Sequence, residues 1–165
     1  MNGTNKFLFG IVFGVVLLVI VAFSVVLLRP EPTYQDDSTP AGAAHNYLLA
    51  LQQGEFDRAF AYLPTAFKYP TDADDMANDA GQNGWLFETG GDYALAVDSV
   101  KQTSEDTAVV TIRKTTFYND GLMGSHEYSQ TFTMRLLREG DEWKVSEAEM
   151  YWSNCWGTSQ EFWCR

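Results

Sequence analysis

The sequence predicts an α+β domain preceded by an N-terminal transmembrane helix. Three observations lead there. An uncharged apolar run extends from Phe7 to Leu28, apolar residues recur at helical spacing from Thr39 to about Phe87, and a period of two takes over after Gly91. Together they predict about three helices packed on an antiparallel sheet of about four strands.

The first run lies between Lys6 and Arg29-Pro30. At 1.5 Å per helical residue it reaches about 33 Å, enough for a hydrocarbon core of about 30 Å. Gly10, Gly14 and Ser24 interrupt the bulky side chains, and membrane helices tolerate all three. The run is longer than the apolar part of a secretory leader, and no small-x-small cleavage site follows Leu28. Residues 1–29 therefore read as a signal-anchor whose partner is the lipid bilayer, contacted through Phe7–Leu28. Lys6 and the terminal amine lead the run, while Glu31, Asp36 and Asp37 trail it. The charge balance places the N-terminus in the cytoplasm and the C-terminal domain outside it, in a single-pass cell-membrane protein. Gly10 and Gly14 stand at the spacing that lets a second helix approach, from a membrane-complex protein or in a homodimer.

The net charge is −11, and every Asp and Glu lies beyond Arg29. That field repels phosphate backbones, and no basic patch interleaved with aromatics appears, which excludes nucleic acid as a partner. Residues 30–38 are Pro- and Asp-rich without apolar periodicity and read as a linker. The remainder suffices for one domain with a modest core.

Thr39-Pro40 is a helix start, a hydroxyl cap followed by proline. Ala44, Tyr47, Leu48 and Leu51 then share one helical face, and Gly54 closes it. Phe56, Ala59, Phe60 and Leu63 repeat the pattern until Pro64. A third helix is expected from about Thr71 towards Trp85-Leu86-Phe87, with Asp72, Asp74 and Asp75 at its positive end and Gly81 and Gly84 weakening it. Tyr93, Leu95 and Val97 then alternate with Ala94, Ala96 and Asp98. Thr107–Tyr118 places Ala108, Val110 and Ile112 on one face. After a loop around Gly121 and Gly124, Phe132, Met134 and Leu136 share a face within Tyr128–Leu137. Glu139-Gly140-Asp141 turns the chain into Trp143-Lys144-Val145. Helices followed by sequential strands predict a meander with the helices on one face.

The phrase TPAGAAHNYLLALQQGEFDRAFAYL, Thr39–Leu63, resembles the opening of the NTF2-like superfamily, and FTMRLLREGDEWKVSEAE, Phe132–Glu149, resembles its last hairpin. The whole is similar to bacterial membrane-anchored NTF2-like (cystatin-like cone fold) domains of unknown function. The resemblance implies an NTF2-like domain over 39–149, whose helices and sheet enclose a cavity used for catalysis, ligand binding, dimerisation or docking. Fold alone does not choose among these. Residues 150–165 form an aromatic tail outside the resemblance.

Candidate sites are sparse. Asp98 is the carboxylate of the first strand, but the bulkier Tyr93-Leu95-Val97 face is the better inward face and leaves Asp98 on the outer side. His45 borders the apolar stripe of the first helix and His126 lies by a glycine loop. Each is a weak candidate for proton transfer without a motif partner. Asp72, Asp74, Asp75 and Asp79 lack the glycine and glutamate of a calcium loop, so capping and a solvated face explain them. No cofactor and no metal are expected. Cys155 and Cys164 are expected to pair outside the cytosol, because their spacing is not the redox C-x-x-C. Trp152, Trp156, Phe162 and Trp163 crowd the same tail. They either complete the core or form an interaction surface on a cross-linked loop.

The sequence reading is therefore a non-catalytic, membrane-anchored, extracytoplasmic accessory or interaction domain, for which deletion of Tyr151–Arg165 leaves Thr39–Glu149 folded. The alternatives are a binder of small hydrophobic ligands in the helix–sheet cavity, and an isomerase- or dehydratase-like enzyme acting by proton transfer.

Overall fold

The computed structural model describes residues 3–27, 32–87, 92–119, 121 and 124–158. The chain divides into two compact units, Met1–Thr33 and Tyr34–Arg165.

The first unit holds α1 (Gly3–Leu27). Among the described residues no helix is long and apolar enough to cross a membrane. This corrects the expected transmembrane helix over Phe7–Leu28. The membrane-anchored family resemblance, the bilayer partner, the membrane-complex or homodimer contact at Gly10 and Gly14, and the single-pass extracytoplasmic topology rested on that helix and are not supported.

The second unit is α+β. Helices α2 (Pro40–Gln53), α3 (Phe56–Ala61), α4 (Ala73–Gln82) and α5 (Gly84–Phe87) precede strands β1 (Tyr93–Gln102), β2 (Thr107–Asn119), β3 (Ser125–Glu139) and β4 (Glu142–Ala148). The strands form one antiparallel meander in the order β1-β2-β3-β4, and α2 packs across all four. This is the helix-on-sheet arrangement that the NTF2-like resemblance implies.

Local chemistry explains the elements. Thr39 Oγ1 accepts from the amide of Gly42 at 3.1 Å and Pro40 opens α2. Gly54 closes the helix in the left-handed region at φ 71°. Gly42 has a second duty: a Cβ there would overlap the Asp36 carbonyl oxygen. The expected linker is thus partly bound. Asn46 Oδ1 accepts from the Gln35 amide at 2.8 Å, and Asn46 Nδ2 donates to the Gln35 carbonyl at 2.9 Å. The expected third helix is two, α4 and α5, divided at Asn83 between the helix-weakening Gly81 and Gly84.

Even-numbered residues of β2 and β3 face the helices. Ala108, Val110, Ile112, Phe132, Met134 and Leu136 are buried there with Trp143 and Val145 of β4. β4 pairs only with Met134–Glu139 of β3. Beyond that, the Glu149 amide donates to the Thr133 carbonyl at 3.1 Å while the Glu149 carboxylate accepts from the Thr133 amide at 2.7 Å. This pair of bonds ends the ladder and hands the chain to the segment that follows.

Candidate functional site

The inner face of β2 carries one charge. After Ala108, Val110 and Ile112 the same parity brings Lys114, only 2 % exposed. It stands opposite Leu95 of β1 and Gln130 of β3 in the ladder. Its ammonium lies 5.0 Å from the centre of the Tyr93 ring, within cation–π range. Burial holds the Lys114 ammonium below the ordinary lysine range. Across the ladder, Gln130 Nε2 donates at 3.8 Å to the thioether of Met150, a weak acceptor.

Tyr151 completes this patch. Following the Glu149–Thr133 pair, it adopts φ 59°, the left-handed region that bulky residues rarely occupy. Tyr47 of α2, wholly buried, holds it there by donating its hydroxyl to the Tyr151 carbonyl at 2.8 Å. The Tyr151 ring then lies 6.2 Å from Tyr93 and 5.8 Å from Phe132. The side chain is 1 % exposed, and its Oη is buried without a hydrogen-bond partner. Burial first, and the neighbouring Tyr93 phenol second, push the Tyr151 hydroxyl far above the ordinary tyrosine range. The approach of Tyr93 adds to that shift without the geometry of a hydrogen bond. Tyr93, Gln130 and Met150 are half-buried, so the patch reaches the surface at those three residues. Chemically it is an apolar wall with donors from Tyr151, Gln130 and Lys114.

No protein-family model matches the chain, and no curated protein matches it either. Among solved structures, it is similar to an NTF-2 like protein of unknown function from Shewanella oneidensis at 15% identity. That match covers 62% of this chain and 88% of the other, with a TM-score of 0.41. It is also similar to a ketosteroid isomerase-like protein from Erwinia carotovora atroseptica at 20% identity, covering 68% and 92%, with a TM-score of 0.46. Likeness of this degree carries nothing about activity.

The residues singled out by sequence do not gather at the patch. Asp98 lies on the outer side of the sheet, at the register shift between Val97 and Ser99, where it pairs with Arg113. His126 is exposed in the β2–β3 hairpin and stacks on Tyr118 at 4.9 Å. His45 is half-buried on α2. The four aspartates serve the fold: Asp72 caps α4 by accepting from the Asp75 amide at 2.9 Å, and Asp75 accepts from the Thr71 hydroxyl at 2.5 Å. Asp79 accepts from Trp156 Nε1 at 2.7 Å and from the Tyr69 hydroxyl at 3.1 Å, while Asp74 stays exposed. Among the described residues no group of three or more His, Cys, Asp or Glu is placed to hold a metal.

The tail folds inward. Trp152 and Trp156 are 7 % and 6 % exposed and meet edge to face at 5.2 Å. Trp152 also touches Phe67 and Tyr47, and Trp156 touches Phe87. Gly157 bonds to the backbone of Lys68 and Tyr69. Phe162, Trp163 and Cys164 lie outside the described residues. The Cys155–Cys164 pairing lies outside them with Cys164, so the described residues form no disulfide with one another, although Cys155 is not a free thiol.

Proposed function

We propose that the Tyr34–Arg165 unit binds a small, largely apolar molecule against the inner face of its sheet, with the Tyr151 phenol as the polar anchor. The observation that carries this reading is the buried Tyr151 Oη without a partner. An unsatisfied buried hydroxyl costs about 1–3 kcal/mol, which an acceptor atom on a ligand offsets. Tyr93 and Phe132 supply aromatic contact area beside it, and apolar walls with few polar groups are the usual composition of such sites. The strained backbone of Tyr151, fixed by Tyr47 from another element, supports a positioned rather than incidental side chain.

The test is native mass spectrometry and solvent extraction of the purified full chain. A stoichiometric small molecule is expected with the wild type, at lower occupancy with Tyr151→Phe. Equal retention by the two proteins would defeat the reading. So would the absence of any bound molecule together with no thermal shift from a panel of aliphatic and aromatic amphiphiles.

A further inference from the structure

We infer that Met150 is a site of oxidation by hydroperoxides, and that Gln130 holds the sulfoxide that forms. Met76 and Met134 are wholly buried, so an oxidant reaches them only when the fold opens. Met150 is half-buried and packs against the core at the rim of the patch. Its backbone is pinned on both sides. Glu149 exchanges two bonds with Thr133, and the Tyr151 carbonyl accepts from Tyr47. The sulfur is thereby kept beside β3, where Gln130 Nε2 donates to it at 3.8 Å.

The step is a two-electron oxidation of sulfur and reduction of the peroxide. A sulfur lone pair attacks one peroxide oxygen, the O–O bond breaks and an S–O bond forms. The leaving oxygen takes the proton of the transferred one, so hydrogen peroxide departs as water. A sulfoxide is polar, and in most cores it disrupts packing. Here its partner is already in place. A thioether is a weak acceptor for an amide N–H, whereas a sulfoxide oxygen is a strong one. Methionine has three rotatable side-chain bonds, so the new oxygen reaches Gln130 by a change of torsion while the backbone stays held at Glu149 and Tyr151. Oxidation then replaces a weak tie between β3 and the turn with a stronger one. The inference stands apart from the ligand reading above, whose anchor is Tyr151.

The experiment exposes the full chain to hydrogen peroxide and follows each methionine by peptide mass spectrometry. Met150 is expected to gain oxygen at least about tenfold faster than Met76 and Met134. Melting curves before and after treatment read the part played by Gln130. The change on oxidation should be more favourable in the wild type than in Gln130→Leu by about 3 °C, the worth of one hydrogen bond. Met150→Leu, which forms no sulfoxide at this position, should show no change. Each protein is compared with its own untreated form, so any effect of the substitution itself on stability cancels. Oxidation of Met150 no faster than of the buried pair would overturn the site. Equal changes in the wild type and Gln130→Leu would overturn the role of Gln130. A change in Met150→Leu matching that of the wild type would assign the effect to another methionine and sink the inference.

Discussion

The hydroxyl of Tyr47 donates to the backbone carbonyl of Tyr151 at 2.8 Å, joining the middle of α2 to a turn 104 positions further along the chain. Both residues are buried, so the bond is made where water cannot substitute for either partner. Tyr47→Phe leaves that carbonyl without its donor and removes what holds Tyr151 at positive φ. A loss of about 1–3 kcal/mol in urea denaturation is expected. An unchanged midpoint would mean that the turn is held by its other contacts.

Tyr151→Phe should act in the opposite direction. It deletes a hydroxyl that has no partner in the unliganded fold, and a gain of about 1 kcal/mol is expected. Burial also raises the Tyr47 and Tyr151 phenols, so the folded state keeps their protons while unfolded tyrosines lose theirs near pH ~10. Their contribution is full below that pH and is lost as pH rises above it. The variant should therefore lose less stability than the wild type between about pH 9 and 11, one unit either side of the free phenol. Parallel curves for the two proteins would contradict this.

Lys114 supplies the reverse dependence. Its folded value lies below the ordinary lysine value of 10.5, because burial disfavours the charged form. Between the two values the unfolded chain holds more protons, so this residue's contribution improves as pH climbs towards 10.5 and is least favourable below the folded value. The difference in stability between Lys114→Met and the wild type should be largest near neutrality and shrink as pH approaches 10. Melting temperatures of both proteins across that range measure it. A difference that stays constant would remove burial as the cause.

Asp79 joins α4 to the tail through Trp156 and to the preceding loop through Tyr69, whose hydroxyl is pushed up to about 12 by burial and by this carboxylate. Asp79→Ala strands the indole N–H of the buried Trp156 and should cost about 2 kcal/mol. Asp74→Ala, at an exposed position of the same helix, serves as the control and should change little. Equal midpoints for the two variants would remove Asp79 from the account.

Gly42→Ala tests the closeness of α2 to the segment before it. The added methyl meets a backbone carbonyl, which cannot rotate away as a flexible side chain can. Overpacking of that kind costs about 1–3 kcal/mol. Calorimetric melting reads it, and a neutral outcome would show that Asp36 moves freely.

Much of the second unit was legible in sequence because its signals are local. Thr39-Pro40 and Gly54 delimit α2 by chemistry acting within a few residues, and period two places Val110 and Ile112 inward. The same alternation, continued one step further, would have found Lys114. A charge in register with a buried face is a more informative signal there than another apolar residue. Tyr151 was beyond reach, because its conformation depends on a hydroxyl from α2 and not on its neighbours. The aromatic crowding of the tail was visible, but composition cannot separate a presented surface from a core. Burial of Trp152 and Trp156 puts them in the core.

That inward-folded tail also sets an order of events during synthesis. The sheet and helices leave the ribosome before the aromatic side chains that seal them, and the contacts of Trp152 and Trp156 with Phe67, Tyr47 and Phe87 close long loops, which is slow. Until Trp152 and Trp156 emerge, Tyr47, Phe67 and Phe87 lack these contacts in the nascent polypeptide, and exposed aromatic surface of that kind is what chaperones recognise.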